Sequence, residues 1–185
     1  MPSFLLTGPS GIGKTTIILK VTDALRMRKF EVGGMVSREV RVEGKRVGFE
    51  LLDLASGRRG WLAHVELEVG PRIGKYRVNT HDLENIGVNS LLKAVNHSDA
   101  VVCDEIGPME LTSAGFRRAV ETIVNSSTPV LGTLHHRYAS TLIPELESAP
   151  QLEVHRVTMS NREAMPFFLL RKMASSLPKK PNSRK

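Results

Sequence analysis

The chain has 185 residues, of which 41% are hydrophobic and 24% charged, with a formal net charge of +7 and one cysteine. That length and balance predict one globular domain with a sizeable core. No apolar run reaches the roughly eighteen residues of a membrane span, the first residues lack the basic start and cleavage pattern of a secretory signal, and the single Cys103 excludes an internal disulfide framework. A cytoplasmic protein is expected.

Part of the basic excess is local. Residues 178–185 read Pro-Lys-Lys-Pro-Asn-Ser-Arg-Lys, with no apolar side chain to pack, and are predicted to be a disordered tail after a domain spanning 1–177. The remaining excess suits a tri- or tetra-anionic nucleotide at least as well as a DNA groove.

Ser3 to Thr7 reads as a short buried strand. Gly8-Pro9-Ser10-Gly11-Ile12-Gly13-Lys14-Thr15 then matches G-x-x-x-x-G-K-[ST], the phosphate-cradling P-loop, followed by Thr16. The glycines let the backbone bend closely around phosphates. The loop N–H groups and the following helix N-terminus aim positive charge at a bound anion. Lys14 adds a full charge near the β and γ phosphates, and the Thr15 hydroxyl is placed to bind Mg²⁺. A helix is predicted from Lys14 to about Arg28 or Lys29, with Ile17, Ile18, Val21 and Leu25 on one face.

Gly33-Gly34 breaks that pattern. Met35–Val42 and Arg46–Leu54 then read as two strands around a turn at Glu43-Gly44-Lys45. Arg38, Arg41, Lys45, Arg46, Arg58 and Arg59 cluster there. They read as a solvated basic face, or as a source of one or two arginines that reach the nucleotide. Residues 56–79 are glycine-rich and predicted to be an irregular loop, packed in part through Trp61, with a short strand after Gly74. A helix is predicted over His81–Asn96, with Val88, Leu91, Leu92 and Val95 facing the core.

Ala100-Val101-Val102-Cys103-Asp104-Glu105 is an apolar strand ending in two acids, and it resembles a Walker B element. Asp104 would hold Mg²⁺, directly or through water, as a hard oxygen ligand. Glu105 would orient or deprotonate an attacking water, with a strand-end salt bridge as its plain alternative. Cys103 reads as a core thiol. Ser113 is a candidate N-cap for a helix packed through Phe116, Ala119, Val120 and Ile123. Pro129–Thr133 reads as the next buried strand, its Thr133 either a γ-phosphate sensor or an ordinary strand-end hydroxyl.

Adjacent His135 and His136 do not share a helical face, which argues against zinc. Arg137 reads as a surface arginine, or as a cis arginine for phosphoryl transfer. A short helix with Leu142, Ile143 and Leu146, a strand over Leu152–Val157 and a last helix are expected. That helix starts either at a Ser160/Glu163 capping box or nearer residue 165, given Pro166. Asn161 and Arg162 then lie at a strand end where a base would be contacted.

With both motifs placed, the chain resembles the small stand-alone nucleoside-triphosphatases described from thermophiles and found in animals as the cancer-related NTPase. The matching pieces are LLTGPSGIGKTT (5–16), REVR with RVGFELLDL (38–41, 46–54), GKYRV (74–78), VVCDEIGPMEL (101–111), VLGT (130–133) and SNRE (160–163). The resemblance implies a RecA-like α/β P-loop domain, with a mostly parallel sheet flanked by helices. The strand at 129–133 would lie between those at 3–7 and 100–104, and the 35–54 hairpin would extend or flank the sheet. It also implies Mg²⁺-dependent hydrolysis of NTP to NDP and phosphate with broad base tolerance across ATP, GTP, CTP and UTP. Nucleotide binding would fall on 8–15 and 101–108, which includes Gly107. Glu105 and Lys14 are the expected catalytic residues, and a monomer is expected. A nucleotide or small-molecule kinase is the alternative, since it uses the same cradle with an acceptor pocket and a lid. A nucleic-acid-dependent ATPase is disfavoured by the 5% aromatic content.

Overall fold

A computed structural model describes residues 2–139 and 151–177. The expected helix at 142–146 and the tail lie outside the described residues.

The strands are β1 (Ser3–Thr7), β2 (Val32–Val42), β3 (Lys45–Asp53), β4 (Arg59–His64), β5 (Arg72–Ile73), β6 (Tyr76–Val78), β7 (Ala100–Ile106), β8 (Val130–Leu134) and β9 (Leu152–Arg156). They form one sheet in the order β5-β6-β4-β3-β2-β7-β8-β1-β9. Neighbours among β2, β7, β8, β1 and β9 pair in parallel. The remaining pairs are antiparallel. As expected from the resemblance, β8 lies between β1 and β7.

Alternation along the strands builds a core on each face. Phe4 and Leu6 point to the side covered by α1 (Lys14–Met27) and α5 (Met165–Ser176), where they meet Ile18, Val21, Leu25 and Leu169. Leu5, Val101 and Cys103 point the other way, toward Leu91 of α3 (Asn89–His97) and Phe116 and Ile123 of α4 (Ala114–Val124). Strands covered on both faces read as continuous apolar runs, which is why β1, β7 and β8 were legible.

Two glycine readings are corrected. Gly33-Gly34 does not separate helix from strand; both lie inside β2, whose first half pairs with β7 from Val32 to Val36. Gly34 has φ +101°, and a Cβ there would lie 2.0 Å from the Val102 carbonyl oxygen, so this close approach excludes a side chain. The predicted irregular loop at 56–79 contains β4, β5 and β6. Gly60 looked like a loop signal, but a Cβ there would meet Ile86 Cδ1 at 2.5 Å and Asp82 Oδ2 at 2.6 Å, so it marks packing inside a strand. The hairpin turn is two residues, Glu43 and Gly44, with φ of 48° and 75°, the all-positive pattern that matches strand twist.

The predicted helix at 81–96 runs from Thr80 to His97, with a wide π-turn over Leu83–Val88 between α2 (Thr80–Asp82) and α3. Val88 and Leu91 are buried as expected, but Ala94 takes the place of Leu92, which is 37% exposed. Ser113 caps α4 by accepting from the Phe116 N–H at 2.8 Å. The last helix begins at Met165 with Pro166 in its first turn, not at a capping box. Asn161 instead ties the approach together, accepting from the Thr158 N–H and donating to the Arg156 carbonyl, at 2.8 and 2.9 Å.

Candidate active site

The carboxyl ends of β1, β7 and β8 converge at one edge, the position where open α/β sheets bind ligands. The loop between β1 and α1 turns on left-handed glycines: Gly8, Gly11 and Gly13 have φ of 146°, 75° and 109°. A Cβ at Gly8 would also lie 2.8 Å from the Val157 carbonyl oxygen. No side chain caps α1, which leaves its first N–H groups without a side-chain partner and available to an anion.

Ser10, Gly11, Gly13, Lys14, Thr15 and Thr16 line a cavity of about 440 Å³. Glu105, Glu110, Thr133 and His135 form its floor and near wall, and Ser37, Glu39, Arg46 and Phe49 of the hairpin close the far side. Lys14 is 9% exposed; its Nζ donates to the Gly8 carbonyl at 3.2 Å and lies 3.7 Å from Glu105 Oε1. That second separation is an ion pair beyond hydrogen-bonding length.

Asp104 is 1% exposed, and Thr133 Oγ1 donates to its Oδ1 at 2.5 Å. Burial lifts the Asp104 carboxyl to about 6, against the opposing hydroxyls of Thr133 and Thr15. Thr133 thus spends its hydroxyl on Asp104. Burial also raises Glu105, against the pull of Lys14. Glu110 is 4% exposed on a 3₁₀ turn over Glu110–Thr112. Burial raises it to about 8, its own N–H and that of Gly107 oppose this, and the charges of Glu105 and Asp104 add to it. Gly107 belongs to the same wall, since a Cβ there would lie 3.1 Å from Glu110 Oε2 and 3.6 Å from Glu105 Cγ.

The residues present fit a divalent cation. Asp104 Oδ2 is buried and has no hydrogen-bond partner in the described structure. Oxygen donors are what a hard cation takes. Among the described residues there is no cluster of three or more His, Cys, Asp or Glu suited to a metal. A cation here would therefore rely on Asp104, Thr15 and the phosphates of a ligand, as Mg²⁺ sites commonly do.

A family profile described as NTPase matches residues 3–170. The chain belongs to the NTPase family. Among relatives, the nucleoside-triphosphatase THEP1 of Thermofilum pendens is 46% identical over 174 residues, covering 94% of this chain and 96% of its own. THEP1 of Methanosarcina acetivorans is 44% identical, over 87% and 90%. The crystal structure of THEP1 from Aquifex aeolicus superposes with a TM-score of 0.79 at 27% identity, covering 92% of this chain and 98% of that one. The solution structure of a human cancer-related nucleoside triphosphatase superposes at 0.77 with 31% identity, over the whole of both chains.

Of the residues singled out from the sequence of this NTPase, Ser10, Gly11, Gly13, Lys14, Thr15, Thr16 and Glu105 line the one cavity, while Gly8 and Pro9 line a neighbouring hollow with His136 and Arg156, and Ile12 faces the outer side of the loop. Arg162 stands apart from the main cavity, on the outer side of the P-loop beside Gly11, Gly13, Thr16 and Lys20. Its Nε lies 3.2 Å from Glu163 Oε1. Arg137 is exposed and absent from the cavity wall. Of the six hairpin-region cations, only Arg46 lines the cavity. Sequence reasoning did not assign His135, Ser37, Glu39, Phe49 or Met109 to the site; the first follows a strand tip, and the hairpin's reach over that tip carries no local signal.

Proposed function

We propose that the protein hydrolyses nucleoside triphosphates to diphosphate and phosphate with Mg²⁺, across several bases. The observation that carries this is the placement of Glu105 beside Lys14 at the P-loop, on the tip of the strand whose Asp104 keeps one buried oxygen unpartnered. The names of the relatives support the same reading.

The triphosphate lies in the loop of Gly8–Thr16, with backbone N–H groups and Lys14 on its β and γ phosphates. Asp104 and Thr15 would hold Mg²⁺, which would supply charge neutralisation of the phosphates when bound. Glu105 accepts the proton of the water that attacks the γ-phosphorus. Thr133 fixes the orientation of Asp104. Arg162, on the outer side of the loop with Thr16, Lys20 and Glu163, faces the base or ribose. We further propose a monomeric cytoplasmic enzyme of one domain; no helix among the described residues is long and apolar enough to cross a membrane.

The test is a panel of ATP, GTP, CTP and UTP with and without Mg²⁺, and with neither acceptor nor nucleic acid present. Phosphate release from several of them that chelation abolishes is expected. NDP formed only when a hydroxylated acceptor is added, with the phosphoryl group on that acceptor and no free phosphate released, would replace hydrolysis by kinase chemistry.

A further inference from the structure

The cavity that holds the P-loop is walled on its far side by a β-ribbon, and among the described residues two side chains of lysine or arginine line it: Lys14 on the near side and Arg46 on the far side. Arg46 is held in place from several directions. Its Nε donates to the Tyr76 hydroxyl at 2.7 Å, and its Nη1 donates to Glu39 Oε2 at 2.9 Å. Its guanidinium carbon lies 5.3 Å from the centroid of Phe49 and 5.7 Å from that of Tyr76. Its backbone carbonyl accepts from Lys75 Nζ at 2.9 Å. Tyr76 is itself 5% exposed on β6, so the antiparallel extension of the sheet fixes this one guanidinium.

An arginine carries five N–H donors. Two are spent on Tyr76 and Glu39, which leaves three. The charge is not cancelled either. Glu39 also pairs with Arg41, so two arginines share one carboxylate. The result is a preorganised guanidinium with unspent donors and excess positive charge, in the wall of a cavity built for an anion. Other cations of the region are used otherwise: Arg59 pairs with Glu50, and Arg41 donates to the Gly44 carbonyl.

We propose that Arg46 contacts the γ-phosphate of the bound triphosphate and stabilises the charge that develops as the terminal phosphoryl group is transferred to water. This rests on the triphosphatase reading above. In the step, a water oxygen forms a bond to the γ-phosphorus while the bond from that phosphorus to the bridging oxygen of the β-phosphate breaks. The electron pair leaves with the diphosphate, and the water proton passes to Glu105. Arg46 donates to equatorial oxygens of the moving group, opposite Lys14. The ribbon after α1 thereby gains a purpose: it delivers one arginine in cis.

The experiment compares the parent with Arg46→Ala and Arg46→Lys, measuring kcat with ATP and the affinities for ADP and a non-hydrolysable ATP analogue. The expected result for Arg46→Ala is a kcat lower by about 10²–10³, weakened analogue binding, and ADP affinity within about twofold, since ADP lacks the γ-phosphate. Added guanidinium ion should restore part of the rate, and Arg46→Lys should not match the parent because an ammonium lacks the planar fork. A purely structural role would lower the melting temperature and weaken ADP and analogue alike; that result, or a kcat within about threefold of the parent, overturns the proposal. If Arg46→Ala fails to fold, Tyr76→Phe is read instead, which removes only the hydroxyl holding Nε. A kcat reduced at least about fivefold with ADP affinity kept supports the proposal, and an unchanged kcat overturns it. If the parent releases no phosphate from any NTP, the triphosphatase reading fails, and the analogue-over-ADP preference still decides Arg46: its loss in Arg46→Ala supports the contact, its persistence overturns it.

Discussion

Lys14 Nζ lies 3.7 Å from Glu105 Oε1, within a site where both side chains are largely enclosed. The two groups belong to different elements, one at the first residue of α1 and one near the tip of β7, and the β1–β8–β7 order brings them together. In the proposed function, the cation for phosphate and the carboxylate for water thus share one wall. Removing the cation leaves the carboxylate without its partner and the phosphates without their charge. Lys14→Ala is expected to weaken triphosphate affinity by at least about tenfold, on the scale of one charge-assisted contact at about 1.4 kcal/mol per decade. Titration of a fluorescent ATP analogue measures this.

The Asp104 variant separates metal from base. Asp104→Asn keeps shape and the acceptor for the Thr133 hydroxyl, but loses the negative charge. Its turnover is expected to fall, and raised Mg²⁺ to recover part of it, whereas a base variant gains nothing from added metal. A Mg²⁺ titration of kcat distinguishes the two patterns.

Much of this site was legible in the chain because its chemistry is written in consecutive residues. Ser3 to Thr15 carries strand, turn and functional group in one short run, and Val101 to Glu105 joins an apolar strand directly to two acids. What stayed hidden depends on distant pairing. Nothing local in the chain shows that the Glu110 carboxyl turns inward beside Gly107. Arg46 was one of six cations, and only its tether to Tyr76, thirty residues away, singles it out. Gly34 and Gly60 misled for the same reason: a glycine that admits a neighbouring backbone or side chain looks, in sequence, like a glycine that ends an element.

That close approach at Gly34 gives a stability test. Its φ is +101°, and a Cβ would lie 2.0 Å from the Val102 carbonyl oxygen, in the pairing of β2 with β7. Gly34→Ala is expected to cost about 3 kcal/mol or more, combining backbone strain with a forced shift of the ladder. Urea denaturation followed by circular dichroism checks it.

Glu110 gives the pH test. Its carboxyl is raised from 4.5 to about 8 by burial, so between those values the folded state binds more protons than the unfolded chain. Stability contributed by this group is present at low pH and is lost as pH rises through about 8. Glu110→Gln, which cannot ionise, is expected to flatten the fall in melting temperature from pH 5 to pH 9 that the parent shows, at about equal stability near the acid end. Melting scans of both proteins across that range measure the difference.

The central claim is that Glu105 takes the proton of the attacking water, and Glu105→Gln under single-turnover conditions with saturating ATP and Mg²⁺ tests it most directly. Glutamine keeps size and polarity but accepts no proton, so binding of a non-hydrolysable analogue is expected to stay within about threefold of the parent. The rate of phosphate release is expected to fall by about 10²–10⁴, or roughly 3–5 kcal/mol of barrier. The parent's rate is also expected to decline on acidification at a pH above the ordinary carboxylate range, because burial raises Glu105. Phosphate release by Glu105→Gln within about threefold of the parent, less than ~1 kcal/mol of effect, would contradict the account and move the base elsewhere.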